Sequence, residues 1–380
     1  MIQKHIEIVS QELKIAPSQV LGTVNLLNEG GTVPFIARYR KERTGGLDEV
    51  QVIAIRDRMK ALAELTDRLE AIIKSLNERG LITGELEARL RSAESLAKLE
   101  DIYLPFRPKR QTRGAIAKEK GLGPLASEIM AQPISLDPME AARRSIESGA
   151  KAETPEGALA MARDIIAEWV SEDETARERL RNLYSREAMV VSRVKAGMEE
   201  EAQKFRDYFD FSEKASSIPS HRYLAVRRAE ASGFFIVQIQ PDPGKALAIL
   251  RNLFVKNDSL AAAEVDKALA DSYKRLASLS METETRLATK KRADQEAIGY
   301  FSQNLRDLLM APPLRGKPVL AIDPGFRTGC KAVALSADGT PLGYATIQPH
   351  ASEVERQKAR QEIMGLMAKG KSEVVAVGNG

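Results

Sequence analysis

Two runs free of glycine and proline constrain this chain more than any other feature. Leu47 to Arg79 is the first and Ser259 to Ile298 the second. With both helix-breaking residues absent over such lengths, continuous helix is the simplest fold. In the first run Val52, Ile55, Met59, Leu62, Leu69, Ile73 and Leu76 keep a three-four alternation, with Thr66 filling one slot. That spacing marks one buried face of a helix roughly 50 Å long. The seam is narrow, so antiparallel packing against another long helix is expected. The second run supplies a candidate partner, roughly 60 Å long, with Val265, Leu269, Leu276, Leu279 and Leu287 as its stripe. The other reading of that run is two helices with a loop near Ser278 to Ser280.

Residues 1–310 read as helical nearly throughout. Ile2, Ile6, Val9 and Leu13 line one face, and Pro17 suits the first position of a second helix carrying Val20, Val24 and Leu27 inward. A short element runs from Pro34 to Arg40. Stretches 114–131, 138–148, 155–170 and 173–194 follow with helical periodicity. The last two are separated by a couple of residues, a joint suited to a helix-turn-helix over about 155–194. Arg179, Arg186 and Arg193 are seven apart and would share a face of its second helix. Glu172, Asp173, Glu174, Glu178 and Glu187 nearly cancel them, so a solvated face competes with a phosphate-tracking one. Phe234 to Gln240 is the one clear strand before residue 319, without an evident partner. Residues 311–318 hold three prolines and a glycine and read as a linker.

Residues 319–380 change period. Val319 to Ile322 is a short apolar strand ending on Asp323, and Pro324-Gly325 follows. Lys331 to Ser336 and Leu342 to Ile347 flank Ala337-Asp338-Gly339, a hairpin signal. Ser352-x-x-Glu355 opens a helix in capping-box fashion, and Val374 to Val377 is another buried strand. The order strand, strand, strand, helix, strand is that of the ribonuclease H-like fold, where the carboxylate ending the first strand is a metal-ligand position. The chain ends at Gly380, so further ligands of that kind are expected beyond it. Three uses of Asp323 compete. It could cap the turn that follows, serve a metal-dependent nuclease or resolvase, or serve an actin-like ATPase in which Arg327, Thr328 and Lys331 face phosphates. Two-metal chemistry needs several clustered carboxylates, and Asp323 alone occupies a recognisable position. The reading is therefore no catalytic residue, no metal site and no cofactor.

The 380 residues carry 57 basic and 53 acidic side chains, a net charge of +4, too mild to identify a nucleic-acid binder by charge alone. Any basic footprint must be local. One is Arg38, Arg40, Lys41 and Arg43 around the single acid Glu42. Another is 105–113, where Arg107, Lys109, Arg110 and Arg113 meet no acid and prolines resist helix formation. Phe106 and Tyr103 could stack a base or anchor this loop in the core. Extended arginine, lysine and threonine offer phosphate contacts without sequence readout; the competing reading is helix C-capping and ion pairing. A third group, His221, Arg222, Arg227 and Arg228, opens a helix expected to be capped by Ser220. Cys330 is the lone cysteine, so no intrachain disulfide forms. The three histidines are far apart, which argues against zinc or a serine triad. No apolar run reaches membrane-spanning length and no signal peptide is evident, so a cytoplasmic protein is expected.

Phe35-Ile36-Ala37-Arg38-Tyr39-Arg40-Lys41-Glu42, with Thr44-Gly45 and Leu47-Asp48-Glu49, resembles the N-terminal signature of the bacterial transcription accessory proteins called Tex. So do Leu99 to Arg110 with Thr112-Arg113, Pro219 to Arg222, and Ile322 to Lys331. The resemblance spans the whole chain. It implies a helical N-terminal region with a helix-turn-helix, then a ribonuclease H-like domain of the YqgF type. Helix-hairpin-helix modules and a C-terminal OB-fold that binds RNA follow in that family. This chain would be an N-terminal portion ending inside the YqgF-type domain. The family binds nucleic acid and is linked to transcription, and it resembles a eukaryotic elongation factor that works with RNA polymerase and histones. The expectation is a non-enzymatic, nucleic-acid-associated scaffold. RNA or DNA binding by this chain alone should be weak and sequence-independent, with the transcription machinery as a further partner.

Overall fold

In the computed structural model, residues 2–108, 111–312, 314, 316–325 and 329–378 are described. Helices come first: α1 (Ile2–Leu13), α2 (Pro17–Asn28), α3 (Val33–Tyr39), α4 (Lys41–Thr44) and α5 (Glu49–Glu78). Then come α6 (Gly84–Arg91), α7 (Leu96–Tyr103), α8 (Arg113–Glu119), α9 (Gly123–Ala131), α10 (Pro138–Glu147), α11 (Pro155–Glu172) and α12 (Glu174–Glu187). A small sheet follows, from β1 (Met189–Val194), β2 (Asp210–Lys214) and β3 (Phe235–Gln240), with α13 (Ser220–Ala231) before its last strand. Next are α14 (Pro243–Phe254), α15 (Leu260–Ser272) and α16 (Ser278–Met310). The chain closes with β4 (Val319–Asp323), β5 (Cys330–Leu335), β6 (Pro341–Ile347), α17 (Glu353–Gly370) and β7 (Val374–Val377). Helix accounts for 65%, which makes this a mainly α protein. Two compact units divide it, 1–296 and 297–380.

The first long run is a helix because nothing interrupts it and its start is fixed. Asp48 accepts a hydrogen bond from the Gln51 amide at 2.8 Å, and the Gln51 side-chain oxygen accepts one from the Asp48 amide at 3.1 Å, a complete capping box. Its packing differs from the expected pair of long rods. Val52, Ile55 and Leu62 join a core with Ile6, Val9, Val20 and Ile36 from α1 to α3. Ile72 and Leu76 join a second core with Leu86, Leu90, Leu99 and Ile102 from α6 and α7. Short helices thus cover each end of α5. Each fully buried aliphatic side chain there is worth about 1.5–3 kcal/mol. The second run is helical from Leu260 to Met310, with a π turn at Tyr273–Ala277 and no loop near Ser278. Its α15 half packs on α11, where the Ser272 hydroxyl donates to the Ala167 carbonyl at 2.8 Å.

The largest correction lies at 189–194, which was expected to continue a helix. The helix ends at Glu187 and Met189–Val194 becomes the middle strand of the order β2-β1-β3. Three of its six residues are valine, which favours the extended chain, and antiparallel partners on both sides supply its backbone bonds. It is also the missing partner of β3. The other edge of β3 meets α16. The Ile239 amide donates to Glu282 at 3.1 Å, and the Val237 carbonyl accepts from the Arg286 guanidinium. An ion pair one helical turn long thereby occupies an otherwise open edge.

The second sheet has the order β6-β5-β4-β7, with β4 parallel to β7 and the other pairs antiparallel. Along the chain the elements follow the order strand, strand, strand, helix, strand read from the sequence. Gly339, at φ 86°, makes the hairpin turn, and Ser352 accepts from the Glu355 amide at 3.2 Å to start α17. Leu366 of α17 packs on Leu320, Ala332 and Ala334. Cys330 is buried at the start of β5.

Candidate nucleic-acid interface

The first basic group sits on α3 and α4. Ile36 and Ala37 are buried, so Phe35, Arg38 and Tyr39 face outward. Gly22 of α2 lets α4 approach closely, since a Cβ there would lie 2.1 Å from the Arg43 carbonyl oxygen. Two of the four cations are engaged. Arg38 pairs with Glu49 at 3.1 Å, and Arg43 makes two bonds of 3.0 Å to Glu29. The Arg43 guanidinium holds the Glu29 carboxyl below its ordinary range. Arg40 instead stacks its guanidinium 4.7 Å from the centre of the Phe35 ring and donates to the Tyr39 carbonyl at 2.9 Å. Lys41 is exposed, with no described carboxylate in salt-bridge reach.

The second group follows α7. Tyr103 is buried and Phe106 packs on the same core, so both aromatics anchor the loop rather than offer a stacking face. Arg68 lies over Tyr103 at 5.7 Å, and Arg79 donates to the Phe106 carbonyl at 2.6 Å. Arg107 then leaves in an extended conformation and is exposed. Lys109 and Arg110 lie outside the described residues. Thr112 accepts from the Ala115 amide at 3.1 Å, capping α8, and Arg113 is exposed on its first turn. Arg107 and Arg113 have no described carboxylate in salt-bridge reach. The Gly114 amide donates to buried Glu168 at 2.9 Å, which ties the loop's end to α11.

The remaining candidates are partly used structurally and partly exposed. Asp173 alone joins α11 to α12, and it caps α12 by accepting from the Ala176 amide at 2.7 Å. Arg177 and Arg181 point inward to Asp101 and Glu284, at 2.5–2.8 Å. Arg179 and Arg186 are exposed on α12, but Arg193 lies on β1, so the expected three-arginine face does not form. In the third group, Arg222 pairs with Glu213 and Arg227 with Glu230. Ser220 is the first residue of α13, and no side chain caps that helix.

Asp323 ends β4 on the exposed side of the sheet. A Cβ at Gly378 would lie 3.7 Å from its Oδ1, so the end of β7 is adjacent and carries no acid there. Among the described residues no group of three or more metal-ligating side chains surrounds it. Arg327, Thr328 and the turn it was expected to cap lie outside the described residues. No described helix is long and apolar enough to cross a membrane.

One surface feature was missed in the sequence. Phe35 and Tyr39 form an exposed aromatic pair, with ring centres 5.9 Å apart. Their spacing of four within a basic, helical stretch was the available signal.

Comparison with known proteins places these elements. Residues 3–77 match the Tex-like protein N-terminal domain, 134–301 the Tex central region-like family, and 317–380 the Tex protein YqgF-like domain. Protein YhgF of Escherichia coli (strain K12) is 39% identical over 98% of this chain and 49% of its own length. Protein tex of Bordetella pertussis is 35% identical over 99% of this chain and 50% of its own. Transcriptional accessory protein Tex of Neisseria gonorrhoeae is 35% identical over 98% and 49%. The chain therefore spans about half the length of the curated relatives it matches. With N-terminal, central and YqgF-like domains in that order on a mainly helical fold, it belongs to the Tex family.

Proposed function

We propose that this chain is a non-enzymatic scaffold of a cytoplasmic transcription accessory factor, and that it follows nucleic acid through phosphate contacts. The observation that carries the reading is the pair Arg107 and Arg113. Both are exposed, free of described ion pairs, and held at the two ends of a loop whose aromatics are locked in the core. Lys109 and Arg110 lie between them in sequence. Such a loop supplies electrostatics without base readout. Arg40 and Lys41 add a second contact region. The printed name of the Neisseria relative, a transcriptional accessory protein, supports the transcription setting. The scaffold part rests on Asp323, around which no group of three or more metal-ligating side chains gathers among the described residues, whereas two-metal chemistry needs several clustered carboxylates.

The test is salt dependence. Replacing Arg107, Lys109, Arg110 and Arg113 by alanine should flatten the plot of log K against log salt. Each lost phosphate contact should reduce the slope by roughly 0.7–0.9. An unchanged slope would make the loop structural and return the question to Arg40 and Lys41.

A further inference from the structure

We propose that the outer edge of β6 is a docking site for a protein partner, which adds an extended acidic segment there as a further strand. The inference goes beyond the nucleic-acid reading and does not depend on it. Among the described residues β6 pairs only with β5, so its other edge is open. Open edges are usually guarded, because unpaired amides and carbonyls invite another strand. The first sheet shows such guarding. Glu282 and Arg286 occupy the edge of β3, and β2 carries Asp210, Glu213 and Lys214 among its five residues. The β6 edge has neither device. Pro341–Ile347 holds no charged side chain, and its proline stands at the first position. Tyr344, near the middle of the strand, is 85% exposed.

The two faces beside that edge differ. On one, Gly343 leaves a slot beneath α17, where a Cβ would lie 3.1 Å from Leu366 Cδ2 and 3.4 Å from Lys369 Nζ. Lys369 is exposed, with no described carboxylate in salt-bridge reach. The next side chain, Tyr344, points to the opposite face. An incoming segment with an acidic residue beside Gly343 and an apolar one beside Tyr344 would satisfy both faces. Its carboxylate would meet the lysine, its apolar side chain would cover the ring, and its backbone would extend the ladder. A second copy of this chain fits poorly. Antiparallel pairing of two β6 strands about Gly343 and Tyr344 would bring two Lys369 ammonium groups together, with no acid on either strand to offset them. Nucleic acid could use the lysine but has no peptide backbone to continue the sheet.

The experiment is fluorescence anisotropy on the full chain with a short labelled peptide of alternating glutamate and valine. Its controls are the lysine–valine counterpart and a glutamate–valine peptide N-methylated at every residue, which offers no backbone donor. The parent should bind the glutamate–valine peptide, reject the methylated form and prefer glutamate to lysine. Lys369→Glu should weaken the acidic peptide by roughly five- to ten-fold, the scale of reversing one exposed charge, and turn the preference toward the lysine–valine peptide. A reversed preference cannot come from misfolding. Amide hydrogen exchange across 341–347 should slow when the acidic peptide is bound. Absence of binding at low salt, equal binding of the methylated peptide, or an unchanged preference in Lys369→Glu would overturn the proposal. Slowing at 341–347 produced by single-stranded RNA instead would assign the edge to nucleic acid. Slowing that grows with protein concentration alone would assign it to a second copy. Either result would also overturn the proposal, and neither bears on the salt slope of the Arg107–Arg113 loop.

Discussion

At the residue scale, Gly22 decides whether the first basic group can exist in its observed place. Any side chain there would bring its Cβ to 2.1 Å from the Arg43 carbonyl oxygen, a backbone atom that cannot rotate aside. Gly22→Ala should therefore push α4 away from α2 and cost roughly 1–3 kcal/mol, the usual penalty for overpacking. A denaturant titration checks the cost. The Arg43–Glu29 pair should loosen with it, because Arg43 is carried on the displaced segment. The sequence names Gly22 but gives no hint of this role, since Arg43 approaches from 21 positions further along the chain. Similarly, the sequence singled out Tyr103 and Phe106 for stacking or anchoring and passed over Phe35 and Tyr39. Only packing distinguishes them: the first pair is drawn into the core beside Leu99 and Ile102, and the second is left outside.

At the element scale, α7, α12 and α16 are held by a buried ionic group. Asp101 is 4% exposed and receives both Arg177 and Arg181, which also share Glu284. Two cations meet two anions, so the group is neutral as a set. Asp101→Ala should cost about 3–5 kcal/mol, because it leaves a buried guanidinium without its closest counter-charge. Thermal unfolding of the variant beside the parent measures this. A loss below 1 kcal/mol would mean that Glu284 and water compensate. These arginines belonged, on the sequence reading, to a helix that runs on to Val194. Helical periodicity extended that helix too far because Val190 and Val194 fit either a helix face or a strand. Strand partners more than a dozen residues away settled the choice.

At the scale of the whole molecule, stability should fall on acidification below about pH 4.5. Burial alone would raise the Glu264 carboxyl, but hydrogen bonds from Lys267 and Arg163 outweigh it and bring the group below its ordinary 4.5. Its contribution is complete above that unfolded value and is lost as pH falls through the depressed folded one. Glu12, held by Arg58, acts in the same direction from a more exposed site. Asp164 opposes them, since burial raises it above 3.8 and the folded state then binds its proton more readily. His5, lowered from 6.5 by burial, adds a loss that begins as pH drops below that value. Unfolding free energies measured from pH 7 to pH 3 test the sum, and Glu264→Gln should flatten the acidic limb. The sequence by itself determined the local elements: both long helices, the cap at Ser352, the hairpin at Gly339 and the order of elements after residue 319. Each follows from interactions within a few residues, where spacing and composition are sufficient. Tertiary structure alone decided the fate of 189–194, the short helices that cover α5, and which arginines are spent inside. Those outcomes depend on side chains distant in sequence competing for the same buried surface or the same carboxylate, and no local pattern records who wins.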